Sequence, residues 1–304
     1  THFTNRISSY LHHQTYNGMG CDVADFNNDA LPDIVEMDML PETDAGQKMM
    51  AGVMTWDKSL LIEQAGYAPQ YMRNTLQLAT PAPPPSTVFS EIAQLAGVAA
   101  TDWSWAPLFA DFDNDGWKDL FITNGYLRDI TDKDFIDYTS NITMFKSPGE
   151  ADRELLPKIR QLKGKILPNR MFRNNRDLTF LPETERWGIT QPSCSNGGAY
   201  VDLDNDGDLD LVVNNINEPA FLYENKADRL RKNNYLNIRL EGFPGNPEGI
   251  GVAVTLQAGG QRQYMEQYGS RGFMSTVTSV LQFSLDEIFN IDTLEIRWND
   301  GKKQ

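Results

Sequence analysis

Apolar and polar residues follow one another in short runs along most of the chain, and this pattern predicts strands rather than long helices. Three acidic stretches interrupt this pattern, and each has an apolar run on both sides. The runs that enter these stretches are 21–24, 108–110 and 199–201, and the runs that leave them are 34–35, 120–122 and 211–213. Apolar runs on both sides of a turn are typical of two strands joined by a loop. We therefore expect each acidic stretch to join two strands.

The three acidic stretches repeat one nine-residue pattern. They occupy residues 25–33, 111–119 and 202–210 and are called the first, second and third loops. In calcium loops of this type, oxygens at positions 1, 3 and 5 converge, position 6 turns sharply, position 7 offers its carbonyl and position 9 closes the shell. Oxygen ligands without His or Cys suit Ca²⁺ better than zinc or copper. The predicted ligands are Asp25, Asn27, Asp29, Leu31, Asp33, Asp111, Asp113, Asp115, Trp117, Asp119, Asp202, Asp204, Asp206, Asp208 and Asp210.

The first loop is predicted to bind calcium most weakly of the three. Asn27 stands at position 3, which removes one negative charge from the ligand set. Ala30 stands at position 6, where the turn requires a positive φ that costs an alanine about 1 kcal/mol relative to glycine. The competing interpretation of every loop is an acidic hairpin tip that is solvated and holds no metal.

Two helix-like stretches follow the outgoing strands of the first and second loops. They occupy residues 44–64 and 129–164, and each precedes a predicted strand pair, 71–78 with 88–92 and 170–173 with 178–182. The loops recur after 86 residues (111 − 25) and 91 residues (202 − 111), which is one four-stranded unit plus an excursion. The proline-rich residues 80–86 predict an exposed connection, because prolines lack the backbone donor.

The C-terminal part of the chain has alternating strands and no acidic loop. The predicted strands are 235–240, 252–256, 262–267, 280–285 and 293–298. Alternation with glycine-rich turns is typical of a small all-β sandwich or barrel. A charged stretch at 226–233 separates this part from the repeats, so we predict domains at 1–230 and 231–304.

At these motifs the chain resembles a known family. Residues 1–225 resemble FG-GAP or VCBS repeats of bacterial surface proteins, which are related in pattern to integrin α-subunit propellers. Residues from 235 onward resemble an ASPIC/UnbV domain, and the pairing is found in bacterial relatives of cartilage acidic protein. The matching motifs are MGCDVAD (19–25), DMLP (38–41), TDWSW (101–105), NGYLR (124–128), GIG (249–251), GFMS (272–275) and EIRW (295–298).

The resemblance implies an all-β fold, with propeller blades that carry helical insertions, followed by a small sandwich or barrel. It also implies about three calcium ions at blade edges, held by the loop residues named above. Closed propellers have four to eight blades, whereas this chain holds about two complete units and a half at either end. We expect either further blades upstream in a longer exported protein or an open fragment.

The composition of the chain limits the classes of partner that it is expected to bind. The chain has 304 residues and a net charge of −15, which argues against nucleic acid, and three calcium ions would bring that charge to −9. The sequence has no run of about twenty apolar residues, so it predicts no membrane-spanning helix. Cys21 and Cys194 are expected to be small buried residues rather than a disulfide.

The catalytic groups of common enzymes are scarce. The histidines are His2, His12 and His13, and no Ser or Cys stands in a nucleophile elbow. Trp103 and Trp105 are expected to pack between blades rather than to stack on a sugar. We therefore predict a calcium-stabilised, non-catalytic binding or adhesion module, extracellular or at the cell surface, that recognises a protein or glycan through its insertions. The alternatives are a polysaccharide-lyase-like enzyme that uses a propeller calcium, and a structural spacer.

Overall fold

A computed structural model describes residues 2–50, 56–81, 87–230 and 233–304. Strands dominate these residues, which agrees with the predicted all-β class. The strands are β1 (Gln14–Thr15), β2 (Cys21–Ala24), β3 (Asp33–Glu36), β4 (Gln70–Tyr71), β5 (Thr75–Pro81), β6 (Thr87–Glu91), β7 (Ser104–Ala110), β8 (Asp119–Asn124), β9 (Leu167–Pro168), β10 (Arg170–Asn174), β11 (Phe180–Pro182), β12 (Pro192–Ser193), β13 (Ser195–Val201), β14 (Asp210–Asn215), β15 (Phe221–Tyr223), β16 (Asn234–Arg239), β17 (Ala253–Ala258), β18 (Gln261–Glu266), β19 (Ser270–Arg271), β20 (Ser275–Thr276), β21 (Val280–Asp286) and β22 (Thr293–Arg297).

Short helices lie between the strands. They are α1 (Ile7–Tyr10), α2 (Asp44–Met49), α3 (Trp56–Gln64), α4 (Ala93–Ala96), α5 (Lys133–Phe145), α6 (Pro148–Gln161) and α7 (Ala227–Leu230). The helices α2 and α3 fall in the first predicted insertion, and α5 and α6 fall in the second. Local signals explain where α5 and α6 begin, because the Asp132 side chain accepts the Phe135 N–H at 3.1 Å and Ser147 forms a capping box with Glu150.

Three antiparallel sheets contain the acidic loops. Their strand orders are β2-β3-β5-β6, β7-β8-β10-β11 and β13-β14-β15. Each loop joins the first two strands of its sheet, as the apolar flanks predicted. Strand β8 is buried along its whole length, which explains why its residues 120–122 are all apolar instead of alternating.

The sheets pack in chain order, with β7 between β2 and β13. Phe26, Phe109 and Phe180 fill the core between the first and second sheets, and the Phe26 and Phe109 rings stack with centroids 5.8 Å apart. Phe112 and Tyr200 lie in a second core, between the second and third sheets. Among the described residues, no closed barrel or propeller is formed by these sheets.

The C-terminal strands form a separate core. The pair β16–β21 and the sheet β18-β17-β22 enclose buried side chains that include Leu240, Val254, Leu256 and Phe283. The five predicted strands are all present, and their ends differ from the predicted ones by no more than two residues. The predicted boundary between 230 and 231 stays a prediction, because residues 231–232 lie outside the described residues.

Two details of the sequence prediction were wrong. Strand β5 extends through Thr80 and Pro81 into the predicted proline connection. Proline is tolerated there because β3 pairs only with residues 75–77, so this end of β5 is paired on one side only, with β6. Residues 82–86 lie outside the described residues. Cys21 is exposed at the start of β2, whereas Cys194 is buried as expected, and both are free thiols.

Candidate metal sites and ligand pocket

The three loops share one backbone conformation. Position 4 is left-handed in each, with φ of 59°, 55° and 61° at Asn28, Asn114 and Asn205. Position 6 is also left-handed, with φ of 68° at Ala30, 85° at Gly116 and 91° at Gly207. Ala30 therefore occupies the conformation that the pattern predicted, without the glycine that adopts it at no steric cost.

The position 1 carboxylate holds each turn from inside. Asp25 accepts the N–H groups of Asp29 at 3.1 Å and Ala30 at 2.9 Å. Equivalent bonds reach Asp111 from Asp115 at 3.0 Å and Gly116 at 2.7 Å, and Asp202 from Gly207 at 3.2 Å. These bonds fix the carboxylate and bring the loop backbone around it.

The position 9 carboxylate ties each loop to its sheet. Asp33, Asp119 and Asp210 accept the position 2 N–H at 3.3, 3.0 and 3.0 Å. Their second oxygens accept N–H groups from the third strand of the sheet or just beyond it, namely those of Ala79, Asn174 and Asn225, at 2.8, 3.0 and 2.8 Å. This bracing role was not predicted from the sequence, since the partners lie 15 to 55 residues away.

Positions 1, 3 and 5 come together in the second and third loops. In the second loop, ligand oxygens of Asp111, Asp113 and Asp115 lie within 4.8 Å of one another. In the third loop, those of Asp202, Asp204 and Asp206 do the same. In the first loop, the Asn27 amide carries position 3, as the sequence shows.

Oxygen atoms without partners mark two of the loops. Asn27 Oδ1 and Asp202 Oδ1 are buried and accept no hydrogen bond from the described residues. Buried oxygens normally have a partner, so these atoms fit a cation. The ligand set is all oxygen, which suits a hard ion such as calcium. The residues at positions 1, 3 and 5 would hold such an ion. Its positive charge would neutralise the clustered carboxylates.

Burial and like charges disfavour ionised carboxylates in the loops when no cation is bound. Burial, followed by the neighbouring Asp115 and Asp113 charges, raises the pKa of Asp111 to about 7. Burial likewise raises the pKa of Asp33 to about 7. A bound divalent cation would offset this repulsion.

Two basic side chains contact loops other than their own, Lys118 from the second loop and Arg176 from beyond β10. Lys118 Nζ is buried and donates to the Asp25 carbonyl at 2.8 Å, and burial lowers the pKa of this amine. Arg176 Nη2 lies 2.7 Å from Asp115 Oδ2. The contact of Lys118 with the first loop was not revealed by the nine-residue pattern alone.

Asparagine side chains join the loops in a row. Asn28 Nδ2 donates to the Gly116 carbonyl at 2.9 Å, and Asn114 Nδ2 donates to the Gly207 carbonyl at 3.0 Å. Asn174 Nδ2 connects the carbonyls of Phe26 and Lys118, at 2.9 and 3.0 Å. Each loop is therefore hydrogen-bonded to the next.

A cavity of about 320 Å³ lies where the two insertions meet. Met49 and Met50 from the first insertion and Thr131 and Asp132 from the second line it. Met50 also forms an isolated antiparallel bridge with Asp132. The two segments, which are distant in sequence, thus share one surface, called the insertion pocket below.

Aromatic rings form one wall of the insertion pocket. Trp103 and Tyr126 line it, with ring centroids 4.5 Å apart. Trp105 stacks on Trp103 at 6.1 Å and reaches Phe273 of the C-terminal part at 5.0 Å. Both tryptophans are half-buried. Trp105 packs against Trp103 and Phe273, and Trp103 also borders the cavity, so the predicted packing of both tryptophans between blades stays a prediction.

Charged groups of both signs line the same pocket. Asp102 pairs with Lys165 at 3.6 Å and with Arg170 at 3.8 Å. Asp129 accepts the backbone N–H of Thr131 at 3.2 Å and its hydroxyl at 2.9 Å. Burial and then the Asp129 charge raise the pKa of Tyr126, whose hydroxyl hydrogen-bonds to that carboxylate.

The histidines and the serine cluster lie away from this pocket. His13 lies 3.9 Å from Glu91 and packs against Tyr71. Ser193 and Ser195 are buried with their hydroxyls 2.7 Å apart, and Ser195 donates to Asn215 at 2.7 Å. Within the described residues, no His, Cys or Ser lines the insertion pocket.

Residues 242–304 match the family described as ASPIC and UnbV. An ASPIC/UnbV domain is present in the chain. The ASPIC/UnbV domain includes β17–β22, whose strands enclose the separate C-terminal core. Phe273 and Arg271 are among the residues of this domain that contact the repeats, so the domain is packed onto them.

A curated relative covers more of the chain. The chain is 28% identical over 219 residues to cartilage acidic protein 1 of Xenopus tropicalis, a match that spans 64% of this chain and 33% of that protein. The chain is therefore a distant homologue that spans about a third of the length of that relative. In the described residues, no helix is long and apolar enough to cross a membrane.

Proposed function

We propose that the chain is a calcium-stabilised, non-catalytic binding or adhesion module. In this proposal, residues 1–230 are FG-GAP/VCBS propeller blades that carry recognition segments, and the partner is a protein or glycan outside the cell or at its surface. The observation that carries the proposal is the insertion pocket. Loops on a rigid scaffold usually carry recognition, and here two such segments contribute to one cavity.

The calcium loops would brace the scaffold rather than contact the partner. Their position 9 carboxylates already bond to the sheets, and their asparagines bond to the next loop. An ion that binds only the folded state stabilises it by mass action. Calcium would therefore keep the blades, and with them the two insertions, in register.

The chemistry of the insertion pocket suits a polar partner with flat apolar faces. Trp103 and Tyr126 offer ring surfaces, while Asp102, Asp132 and Lys165 offer hydrogen-bonding groups of both signs. Sugar rings and peptide side chains both bind to such mixed surfaces. A structural spacer would have no need of this cavity.

The lyase alternative finds less support in the same pocket. A lyase needs a general base, and a useful base has a pKa near the working pH. Tyr126 and Lys165 line the pocket. Burial and Asp129 raise the pKa of Tyr126 and so keep its hydroxyl protonated, and Lys165 lies 3.6 Å from the Asp102 carboxylate. Among described residues, the loop carboxylates and the three histidines lie outside this pocket.

The relative supports a location outside the cell. Its name refers to cartilage, a tissue rich in extracellular matrix. Calcium sites of moderate affinity are also most useful where free calcium is in the millimolar range.

Array binding with variant proteins tests the proposed function. Wild-type chain, Trp103→Leu and Lys165→Met are probed on glycan and surface-protein arrays, with calcium and with chelator. Phe289→Ala serves as the matched control, since this ring is 83% exposed in the ASPIC/UnbV domain. We expect the wild type and control to bind the same partners in calcium, and both pocket variants to lose them while keeping their circular dichroism. Equal binding by all four proteins would contradict a recognition role for the pocket.

A further inference from the structure

The third loop has a carboxylate where the other loops have none. Position 7 is Leu31 in the first loop and Trp117 in the second, but Asp208 in the third. The predicted calcium site uses only the main-chain carbonyl at this position. The Asp208 side chain is therefore extra to that site.

Asp208 is buried and only partly satisfied. Its exposed fraction is 0%, and its Oδ2 accepts the Asp228 N–H at 3.2 Å. Its Oδ1 is also buried and has no hydrogen-bond partner among the described residues. A buried carboxylate oxygen without a donor is costly unless a cation lies against it.

Two further carboxylates converge on Asp208. Ligand oxygens of Asp206, Asp208 and Asp228 lie within 4.8 Å of one another. This group shares only Asp206 with the group formed by Asp202, Asp204 and Asp206. Asp228 lies 18 residues beyond the end of the loop, in α7, so the nine-residue pattern did not include it (228 − 210).

The described basic side chains do not neutralise Asp208. Arg229 Nε lies 3.9 Å from Asp228 Oδ1, and the same arginine donates to Glu224 at 2.9 Å. Among the described residues, no ion pair involves Asp208. The charge of one loop ion is already matched by Asp202, Asp204 and Asp206, so Asp208 and Asp228 remain in excess.

We propose that Asp206, Asp208 and Asp228 hold a second hard divalent cation beside the predicted ion of the third loop. Asp208 supplies the buried oxygen that lacks a partner, and Asp206 bridges the two ions. Asp228 is partly exposed, with 34% of its side chain accessible, so water can complete the shell. The ion ties the third loop to α7, which leads into the C-terminal strands.

Calcium stoichiometry tests this site, and calcium alone is the probe. Native mass spectrometry counts the bound ions of the wild type, Asp228→Asn and Asp208→Asn at matched free calcium. Glu224→Gln is the control, because it removes one negative charge from an exposed side chain four residues from Asp228. We expect the count to fall by one in both aspartate variants and to stay unchanged in the control.

A second readout separates an ion from a shared proton. Asp208→Asn removes the buried charge, so in chelator it should melt at a higher temperature than the wild type, and saturating calcium should reduce or reverse this gain. Unchanged ion counts in both aspartate variants would overturn the proposal and leave a proton shared between Asp206 and Asp208. A weaker affinity with an unchanged count would also overturn it, because Asp228 would then be a ligand of the single loop ion. If the wild type binds no calcium, the calcium role of the loops fails as well, which is a distinguishable result.

Discussion

Ala30 is the residue at which the first loop departs most clearly from the other two. Its φ of 68° is the conformation that glycine provides at the same position of the second and third loops, with φ of 85° and 91°. A left-handed alanine stores strain of about 1 kcal/mol, which the folded loop must carry whether or not an ion is bound.

Ala30→Gly should therefore stabilise the protein. The expected gain is at most about 1 kcal/mol in the free energy of unfolding, because the greater freedom of glycine in the unfolded chain offsets part of the relieved strain. Chemical denaturation in saturating calcium measures it, and calorimetric titration should show tighter binding at the weakest site.

The matched control is the reverse change in the second loop. In Gly116→Ala, the new Cβ would lie 3.0 Å from Gln261 Oε1 at a φ of 85°, so stability should fall. The strain argument would be wrong if Ala30→Gly lowered stability, or if both substitutions shifted stability in the same direction.

At the residue scale, the sequence predicted the backbone conformation of the loops better than it predicted which distant side chains contact them. The left-handed position 6 follows from the spacing of the aspartates, which is local information. Lys118 on the Asp25 carbonyl and Arg176 on Asp115 could not be predicted, since these contacts join residues 93 and 61 positions apart. The first contact depends on the packing of the first sheet against the second, and the second contact depends on the pairing of β10 with β8 within one sheet.

At the scale of elements, the second insertion leaves and rejoins the sheet at one place. The Asp129 N–H donates to the Lys163 carbonyl at 3.1 Å, and the Tyr126 N–H donates to the Lys165 carbonyl at 3.2 Å. The helices α5 and α6 lie beyond this closed neck, with Met144 and Phe145 73% and 80% exposed. We therefore expect that the rest of the protein can fold without this segment.

Replacing residues 130–162 with a two-residue Asn-Gly turn should leave the protein folded. The neck already has the spacing of a hairpin, so a short turn can close it. We expect the calcium count and the melting temperature to stay close to those of the wild type, while array binding is lost with Thr131 and Asp132. Collapse of the fold would show that the insertion is structural instead.

The helical insertions were predicted from their polar, helix-like texture, but their packing was not. Met50 is buried, whereas Met49, Leu60 and Leu61 are 46%, 38% and 64% exposed. The sequence of a short amphipathic segment does not show which part of the protein its apolar residues pack against. Both insertions follow the outgoing strand of a loop, which favours a shared surface, but this position in the sequence does not specify which of their residues meet.

At the scale of the whole molecule, the ASPIC/UnbV domain is anchored to the repeats through a buried ion pair. Arg271 Nη1 lies 3.0 and 3.1 Å from the two oxygens of Asp22, which also accept the N–H groups of Phe109 at 2.7 Å and Val23 at 2.9 Å. Arg271 also lies over the Tyr268 ring at 4.7 Å. The pair joins residues 249 positions apart, so the nine-residue patterns could not indicate it.

Arg271→Met should destabilise the protein strongly. It leaves Asp22 buried without its cation, and breaking a buried ion pair in this way costs about 3–5 kcal/mol. The Asp22→Asn, Arg271→Met double variant should lose less than the sum of the single losses, because both charges are gone. Urea unfolding of all four proteins measures this coupling, and strict additivity would contradict the anchoring role.

Calcium occupancy of the loops decides whether the repeats are metal-braced, and anomalous diffraction from crystals grown with calcium measures it most directly. The expected result is a peak among the side chains of Asp111, Asp113 and Asp115 and another among those of Asp202, Asp204 and Asp206, with a weaker peak beside Asn27. Soaking in chelator should remove these peaks. Well-ordered second and third loops with no anomalous peak in either would contradict calcium binding by this chain.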